Sequence, residues 1–397
     1  MDLFQKFNAE NCTLCGECFH QCPVMHLPID VARDEIKRLV EGRETKRVLQ
    51  KCTSCFACNF ICPEGCNPAQ KILDVWHEKS VRQGLPVRAL YFTPDSPLNF
   101  RTYVLERLPW DERELVRSWE DTSPCEEVFY PGCNWITVPY LARTRLLNGM
   151  NIRGSLNLCC GETYYRTGQY DMVERAVKKL HTWHDTLRFK KMVIPCTAGL
   201  NMFTNVLPRF GLKFDFEIQH MLPWLLRRIE EGELRITNPL HMNVTIQESC
   251  YGKFFGDEYM DVPRRLLQEM GCTVIEEDLC RKQALCCGIG GGFSHQSSYH
   301  PWDITLSTIR SLMLAGRTGA QALAVYCAGC LQMLTVGQFV FPNRMPIYHI
   351  MELLQMAAGE KPERKHRQRG LKMFTGVVLN QFPKTLSKKR FFMKDLP

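Results

Sequence analysis

Short apolar runs recur along the chain, and each ends in a cysteine or a histidine: VFYPGC at Cys133, MVIPC at Cys196, FEIQH at His220, VTIQESC at Cys250, LAVYC at Cys327 and MPIYH at His349. Runs of this length, rich in Val, Ile, Tyr and Phe, predict buried strands. Between them the apolar period lengthens. YDMVERAVKKLHTWHDTL and WDITLSTIRSLMLAG place apolar residues at helical spacing. Upstream, Val31, Ile36, Leu39 and Val40 fall at helical spacing on a charged background. NPAQKILDVWHEKSVRQG predicts a second helix, with Asn67 as N-cap and Pro68 at its first position. Residues 85–125 hold five prolines between charged segments and predict a connecting region with one short helix, around Trp110 to Trp119. From Thr318 to Asn343 no residue is charged, but Gln321, Gln332, Gln338 and the pair Cys327/Cys330 divide the stretch into a buried strand, a cysteine turn and a buried helix rather than a membrane span.

These elements repeat in order. A strand ends at Cys133, a Cys-Cys-Gly follows at Cys159–Cys160, then a strand ends at Cys196 and another at His220. The second copy runs Cys250, Cys286–Cys287, Cys327 and His349. Strand, turn and helix in alternation predict an α/β layer fold with its ligands at strand ends.

Cysteine content sharpens this picture. The chain has 21 cysteines in 397 residues, mostly in short-spaced clusters. Its opening, MDLFQKFNAENC, is polar and carries no secretory signal, so we expect a reducing, cytoplasmic setting with thiolates kept for metal. Two runs share one pattern: Cys12, Cys15, Cys18, Cys22-Pro23 and Cys52, Cys55, Cys58, Cys62-Pro63. In such runs three thiolates wrap one cluster and the fourth reaches its neighbour. The spacing therefore assigns Cys12, Cys15, Cys18 and Cys62 to one [4Fe–4S] cluster and Cys52, Cys55, Cys58 and Cys22 to another. Cys66 falls outside the pattern and reads as a spare thiol.

On these motifs residues 1–84 resemble the α-helical two-cluster ferredoxin module of succinate dehydrogenase iron–sulfur subunits and of heterodisulfide reductase. Cys250, Cys286-Cys287-Gly288 and Cys327-x-x-Cys330 resemble the cysteine-rich CCG motif of the heterodisulfide reductase family. Similar modules occur in the iron–sulfur subunits of anaerobic glycerol-3-phosphate dehydrogenase and glycolate oxidase. The resemblance implies an α+β multidomain chain: an α-helical two-cluster ferredoxin domain (1–84), a linker (85–125), two repeated α/β CCG domains (126–240 and 241–358) and a basic tail (359–397). It implies a further, non-cubane [4Fe–4S] cluster on Cys250, Cys286, Cys287, Cys327 and Cys330, with Cys286 and Cys287 at the reacting centre; the recurrence of His220 and His349 at matching places in the two copies adds His349 as a proton or hydrogen-bond donor near that cluster. Gly288, Gly290, Gly291 and Gly292 would let backbone approach the cluster or a substrate. His295 and His300 are further candidates for proton delivery.

The first copy departs from the motif. Gly199 stands where the second copy has Cys330, leaving Cys133, Cys159, Cys160 and Cys196. A four-thiolate cluster, a zinc ion and an empty structural site remain open there. His220 and His349 equally invite a bland reading, as caps or packing at a helix start.

Charge adds partners. Residues 361–397 carry eleven Lys/Arg against two acids, so the tail is +9 and the rest about −1. A partner subunit, an anionic membrane surface and solvated disorder are the competing readings of that tail; nucleic acid is not expected. No flavin or nicotinamide motif is present, so a flavoprotein or ferredoxin-like partner must supply or remove electrons. Two functions follow: an oxidoreductase subunit that reduces a disulfide at the CCG cluster, or a non-catalytic relay between a flavoprotein dehydrogenase and a quinone or other redox complex.

Overall fold

The computed structural model describes residues 6–211, 214–292, 301–341 and 343–396. The N-terminal layer is helical. Helix α1 (Ile29–Val40) turns Ala32, Ile36 and Leu39 inward and leaves Asp30, Arg33 and Lys37 exposed. It also buries Glu35, whose carboxylate accepts the N–H groups of Lys46, Arg47 and Val48 at 2.7–3.0 Å. One carboxylate thereby satisfies the amides that lead into the second cysteine run. Helix α2 (Pro68–Gln83) starts at Pro68, but Asn67 adopts a left-handed conformation (φ 56) and makes no side-chain cap bond. Asn59 supplies the cap from a distance, accepting the Ala69 N–H at 2.9 Å.

The segment expected to be a linker is built into the core. Helix α3 (Phe100–Glu106), which the sequence pattern does not announce, opens with an Asn99 capping box and buries Phe100, Arg101 and Val104. Helix α4 (Trp110–Ser118) follows.

Two four-stranded parallel sheets come next. In the first, β1 (Glu127–Phe129), β2 (Asn151–Ile152), β3 (Lys191–Ile194) and β4 (Glu217–His220) lie in the order β2-β1-β3-β4, with helices α5 (Tyr170–Leu187) and α6 (Met221–Glu230) in the connections and flank. In the second, β5 (Asn243–Gln247), β6 (Thr273–Val274), β7 (Ala322–Val325) and β8 (Ile347–His349) lie in the same relative order, β6-β5-β7-β8. Helices α7 (Gly256–Glu269), α8 (Pro301–Arg317), α9 (Ala328–Val340) and α10 (Ile350–Ala357) accompany it. The chain leaves β1 to one side and returns on the other, so β1 and β3 are neighbours joined by no direct connection, as are β5 and β7. Such a switch point opens a crevice beyond the carboxyl ends of the strands.

The uncharged stretch divides into β7 and the wholly buried first turns of α9. Among the described residues, no helix is long and apolar enough to cross a membrane. The basic tail returns onto its own chain. Helix α11 (His366–Asn380) packs on α9 and α3, and Arg390–Phe391 pairs antiparallel with Leu85–Pro86. Buried Glu112 holds Arg369 and Lys365 in ion pairs. Residues 365–380 are therefore an ordered layer, a result that the local charge density hides.

Candidate functional site

Eighteen of the 21 cysteines gather at three cavities. Cys12, Cys15, Cys18 and Cys62 line the first, and Cys66 joins them. Cys66 is fully buried, and its N–H points to Cys62 Sγ at 3.4 Å. Motif spacing alone leaves Cys66 as a spare thiol; the three-residue gap separating Cys58 from Cys62 recurs between Cys62 and Cys66, and is the available signal. Cys22, Cys52, Cys55 and Cys58 line the second cavity. Burial, then the neighbouring Cys55, pushes the Cys22 thiol up to about 12.

The third cavity belongs to both repeats. Cys133, Cys159, Cys160 and Cys196 of the first copy share it with Cys250, Cys286, Cys287, Cys327 and Cys330 of the second. The fold explains the convergence. Cys133 and Cys196 follow β1 and β3, Cys250 and Cys327 follow β5 and β7, and these are the strand pairs at the two switch points. The Cys-Cys-Gly loops close from the side. Gln247 Nε2 donates to Leu285 O at 2.9 Å, while Thr308 Oγ1 and Ser311 Oγ on α8 donate to Cys287 O (2.9 Å) and Cys286 O (3.2 Å). In the second copy the thiols are close enough to act on one another's titration, Cys250 on Cys286, Cys286 on Cys287, and Cys330 on both Cys287 and Cys327. Hydrogen bonds from Cys286 and then Cys330 lower Cys287 to about 5 against the effect of burial.

All these cysteines are free thiols. Among the described residues, no His, Cys, Asp or Glu groups close in as one metal ion requires. The thiols instead ring cavities, as a multi-iron group bound through sulfur requires, and thiolate is the donor such a group prefers.

Glycines set the spacing. Gly288 has φ +101, and a side chain there would meet Thr308. At Gly290 a Cβ would lie 2.6 Å from Thr53 O, 2.6 Å from Arg166 Nη1 and 3.2 Å from Cys286 Sγ. Backbone-only approach at Gly290 thus brings the second ferredoxin-type set against the second copy. Cys55, Ala57 and Cys286 form one packed apolar group. Gly291 and Gly292 complete the short turn Ile289–Gly292. His295 and His300 lie outside the described residues.

His349 does not line the cavity. Its Nδ1 accepts the Met351 N–H at 3.3 Å and caps α10, while Glu352 accepts the His349 N–H at 2.8 Å. Burial lowers it to about 4. His220 does the same for α6, accepting the Leu222 N–H at 3.2 Å, and burial lowers it to about 3. The bland reading describes both: a neutral ring nitrogen takes the role of a capping oxygen.

Sequence reasoning misses the cations. Arg101 and Arg166 are both buried and line the shared cavity beside Glu162. Arg166 Nη2 lies 3.5 Å from Cys250 Sγ, its Nε pairs with Glu162, and its guanidinium sits 5.1 Å over the Tyr251 ring. The Glu162–Arg166 spacing of four within a helical turn is a faint signal; nothing local marks Arg101.

Comparison with known proteins agrees with this chemistry. Residues 5–63 match a 4Fe–4S dicluster domain and residues 244–335 a cysteine-rich domain of CCG type. EtfAB:quinone oxidoreductase of Syntrophomonas wolfei is 27% identical over 64% of this chain and 37% of its own length. One subunit of the dihydromethanophenazine:CoB–CoM heterodisulfide reductase of Methanosarcina mazei is 25% identical over 89% of this chain and 95% of its own. "Probable iron-sulfur-binding oxidoreductase FadF" of Bacillus subtilis is 25% identical over 78% and 46%. The chain thus spans less than half the length of two of these relatives and nearly all of the third. It carries a 4Fe–4S dicluster domain and a CCG domain, both of which indicate 4Fe–4S clusters, and is related to iron–sulfur oxidoreductases and their subunits.

Proposed function

We propose that this chain is a subunit of a heterodisulfide-reductase-type redox complex, and that it delivers or withdraws electrons at the cavity shared by its two cysteine-rich copies. The observation that carries this reading is the packing of Cys55 against Cys286. It sets one ferredoxin-type thiol group directly beside the second-copy thiols. Bound 4Fe–4S clusters would supply reversible one-electron transfer at each thiol set.

The residues have distinct tasks in this reading. Cys12, Cys15 and Cys62 are partly exposed, so the first set faces a partner, whereas Cys55 and Cys58 are buried toward the body. Cys250, Cys286, Cys287, Cys327 and Cys330 would hold a non-cubane cluster at which a disulfide is reduced. Gly288 and Gly290 keep the Cys-Cys loop close to its neighbours. In the first copy, Cys133, Cys159, Cys160 and Cys196 would hold a cluster with four thiolates. Cys159, Cys160, Cys286, Cys287 and Cys330 are buried there, and the low dielectric around them strengthens every charge near the thiols.

The relay alternative rests on the relative named for EtfAB and quinone, and on the outer face of α11. Leu371, Val378 and Leu379 are exposed there, and the chain beyond the helix continues with exposed Phe382 and then Lys384, Lys388 and Lys389. An apolar stripe flanked by cations fits contact with an anionic membrane surface.

The test is made on anaerobically purified protein: iron, sulfide and zinc content, then EPR after oxidation with and without a thiol. At about four irons per cluster, about twelve to sixteen irons and a thiol-dependent signal lost in Cys287→Ala support disulfide chemistry. About eight irons with no thiol response would sink that reading.

A further inference from the structure

We propose that Arg101 and Arg166 are counter-cations, one for each cysteine-rich copy, and that Arg166 sets the reduction potential of the second copy's cluster. This rests on the reading that clusters occupy the two thiol sets.

The two arginines meet equivalent cysteines. Arg166 faces Cys250 and Cys286, the lone cysteine and the first of the adjacent pair in the second copy. Arg101 shares the cavity wall with Cys133 and Cys159, the same two positions in the first copy, and both thiols act on its charge. Yet the arginines come from unrelated places. Arg101 sits on α3, ahead of the first sheet, whereas Arg166 belongs to the first copy and reaches across to the second. The internal repeat does not encode this correspondence; tertiary packing supplies it twice.

Burial gives the correspondence its force. A guanidinium stays charged in a protein, and burying it without a negative partner costs several kcal/mol. Arg166 has one carboxylate, Glu162, and Glu162 also accepts the Tyr251 hydroxyl at 2.8 Å. Arg101 makes no ion pair with a carboxylate among the described residues. Its nitrogens reach Phe92 O (3.3 Å) and Thr163 Oγ1 (3.4 Å), and its Nε is buried without a hydrogen-bond partner. Deprotonated thiolates are the negative charge that Arg101 lacks and that Arg166 otherwise draws from Glu162 alone. A cation fixed beside them favours whichever redox state carries more negative charge, which is the reduced one. Arg166 also faces Cys52 of the adjacent ferredoxin-type set, so its charge acts on two groups and that of Arg101 on one.

Redox titration of the iron-loaded protein, followed by EPR, tests this. Iron and sulfide are counted first. A wild-type chain without second-copy iron refutes the cluster reading itself, a result separate from the potential. In R166M with iron retained, the second-copy signal should move to lower potential, with a tenfold or larger change in the reduced-to-oxidised ratio at fixed potential (~59 mV for a one-electron couple). R166K should recover most of that shift, and R101M should leave this signal in place. E162Q removes the competing carboxylate and should move the signal the other way; it also serves if R166M loses iron. Unchanged potentials in iron-loaded R166M and E162Q overturn the proposal. Equal shifts in R101M and R166M overturn it too, because they would show a diffuse net-charge effect instead of paired cations.

Discussion

The two cysteine-rich copies share strand order and histidine caps, and each faces a buried arginine, yet they differ at one decisive position. After Cys196 the chain enters the short helix Thr197–Asn201 and then a wider π-turn over Met202–Val206. After Cys327 it enters the regular helix α9, whose first turn carries Cys330. Gly199 and Cys330 are the corresponding residues, so one copy offers four thiols and the other five. The scaffold tolerates that loss because sheet order and caps do not depend on the thiol. A parallel sheet fixes where strand ends lie, and the side chain at the next helical turn is then free to vary.

The largest effect should come from removing a thiol on one side only. Cys287→Ala should lose the second-copy EPR signal, and about four irons if the cluster cannot form without it. Cys160→Ala should leave that signal in place. If both variants lose the same signal, the copies hold one shared group and the comparison fails.

Next comes the seam. Gly290→Ala forces a Cβ to 2.6 Å from Thr53 O and Arg166 Nη1. Overpacking of this kind costs about 1–3 kcal/mol, visible as a lower urea midpoint. A variant as stable as the wild type would show that the ferredoxin-type module and second copy are not held in contact there.

Gly199→Cys asks whether the missing thiol explains the asymmetry. Its Cβ would sit 3.3 Å from Ile194 Cγ2, so the neighbour must give by a few tenths of an ångström. The first copy should then gain a spectral signature like that of the second. Full iron loading with an unchanged spectrum would place the difference in the Cys-Cys-Gly loops, where Glu162, Thr163 and Tyr164 stand in place of the Ile289–Gly292 turn.

The histidines give the smallest and most symmetric effect. Both are depressed below the ordinary 6.5 by burial, to about 3 in His220 and about 4 in His349. The unfolded chain binds protons in that interval and the folded chain does not, so stability is present above pH 6.5 and lost as pH falls toward 4. His349→Asn retains a capping side chain and should flatten this loss by up to about 1.4 kcal/mol per pH unit. His220→Asn should do the same in the first copy. An unaltered acid limb in chemical denaturation would mean that the rings titrate normally.

Much of the molecule is legible from the chain because the relevant signals are local. The cysteine runs, the helices over α1 and α2, the strand–turn–helix rhythm and the absent fifth thiol at Gly199 each lie within a short stretch. The cap of α2 escapes such reading for a related reason. Asn67 has the right residue type at the right position, but Asn59, brought close by the preceding turn, makes the bond. In sequence a histidine after a strand looks the same whether it caps a helix or faces a substrate, and only the fold shows that His349 caps α10.

The amino-acid order settles which thiols exist, how they group along the chain and that the cysteine-rich unit occurs twice. Packing settles that both units open onto one cavity, that α3 and α11 belong to the body, and that Arg101 and Arg166 each find equivalent cysteines. The division follows the range of the interactions. Thiol spacing and helix periodicity are set within a few residues, whereas the surroundings of a buried charge are set by segments that meet only when the sheets, helices and ferredoxin-type layer have packed.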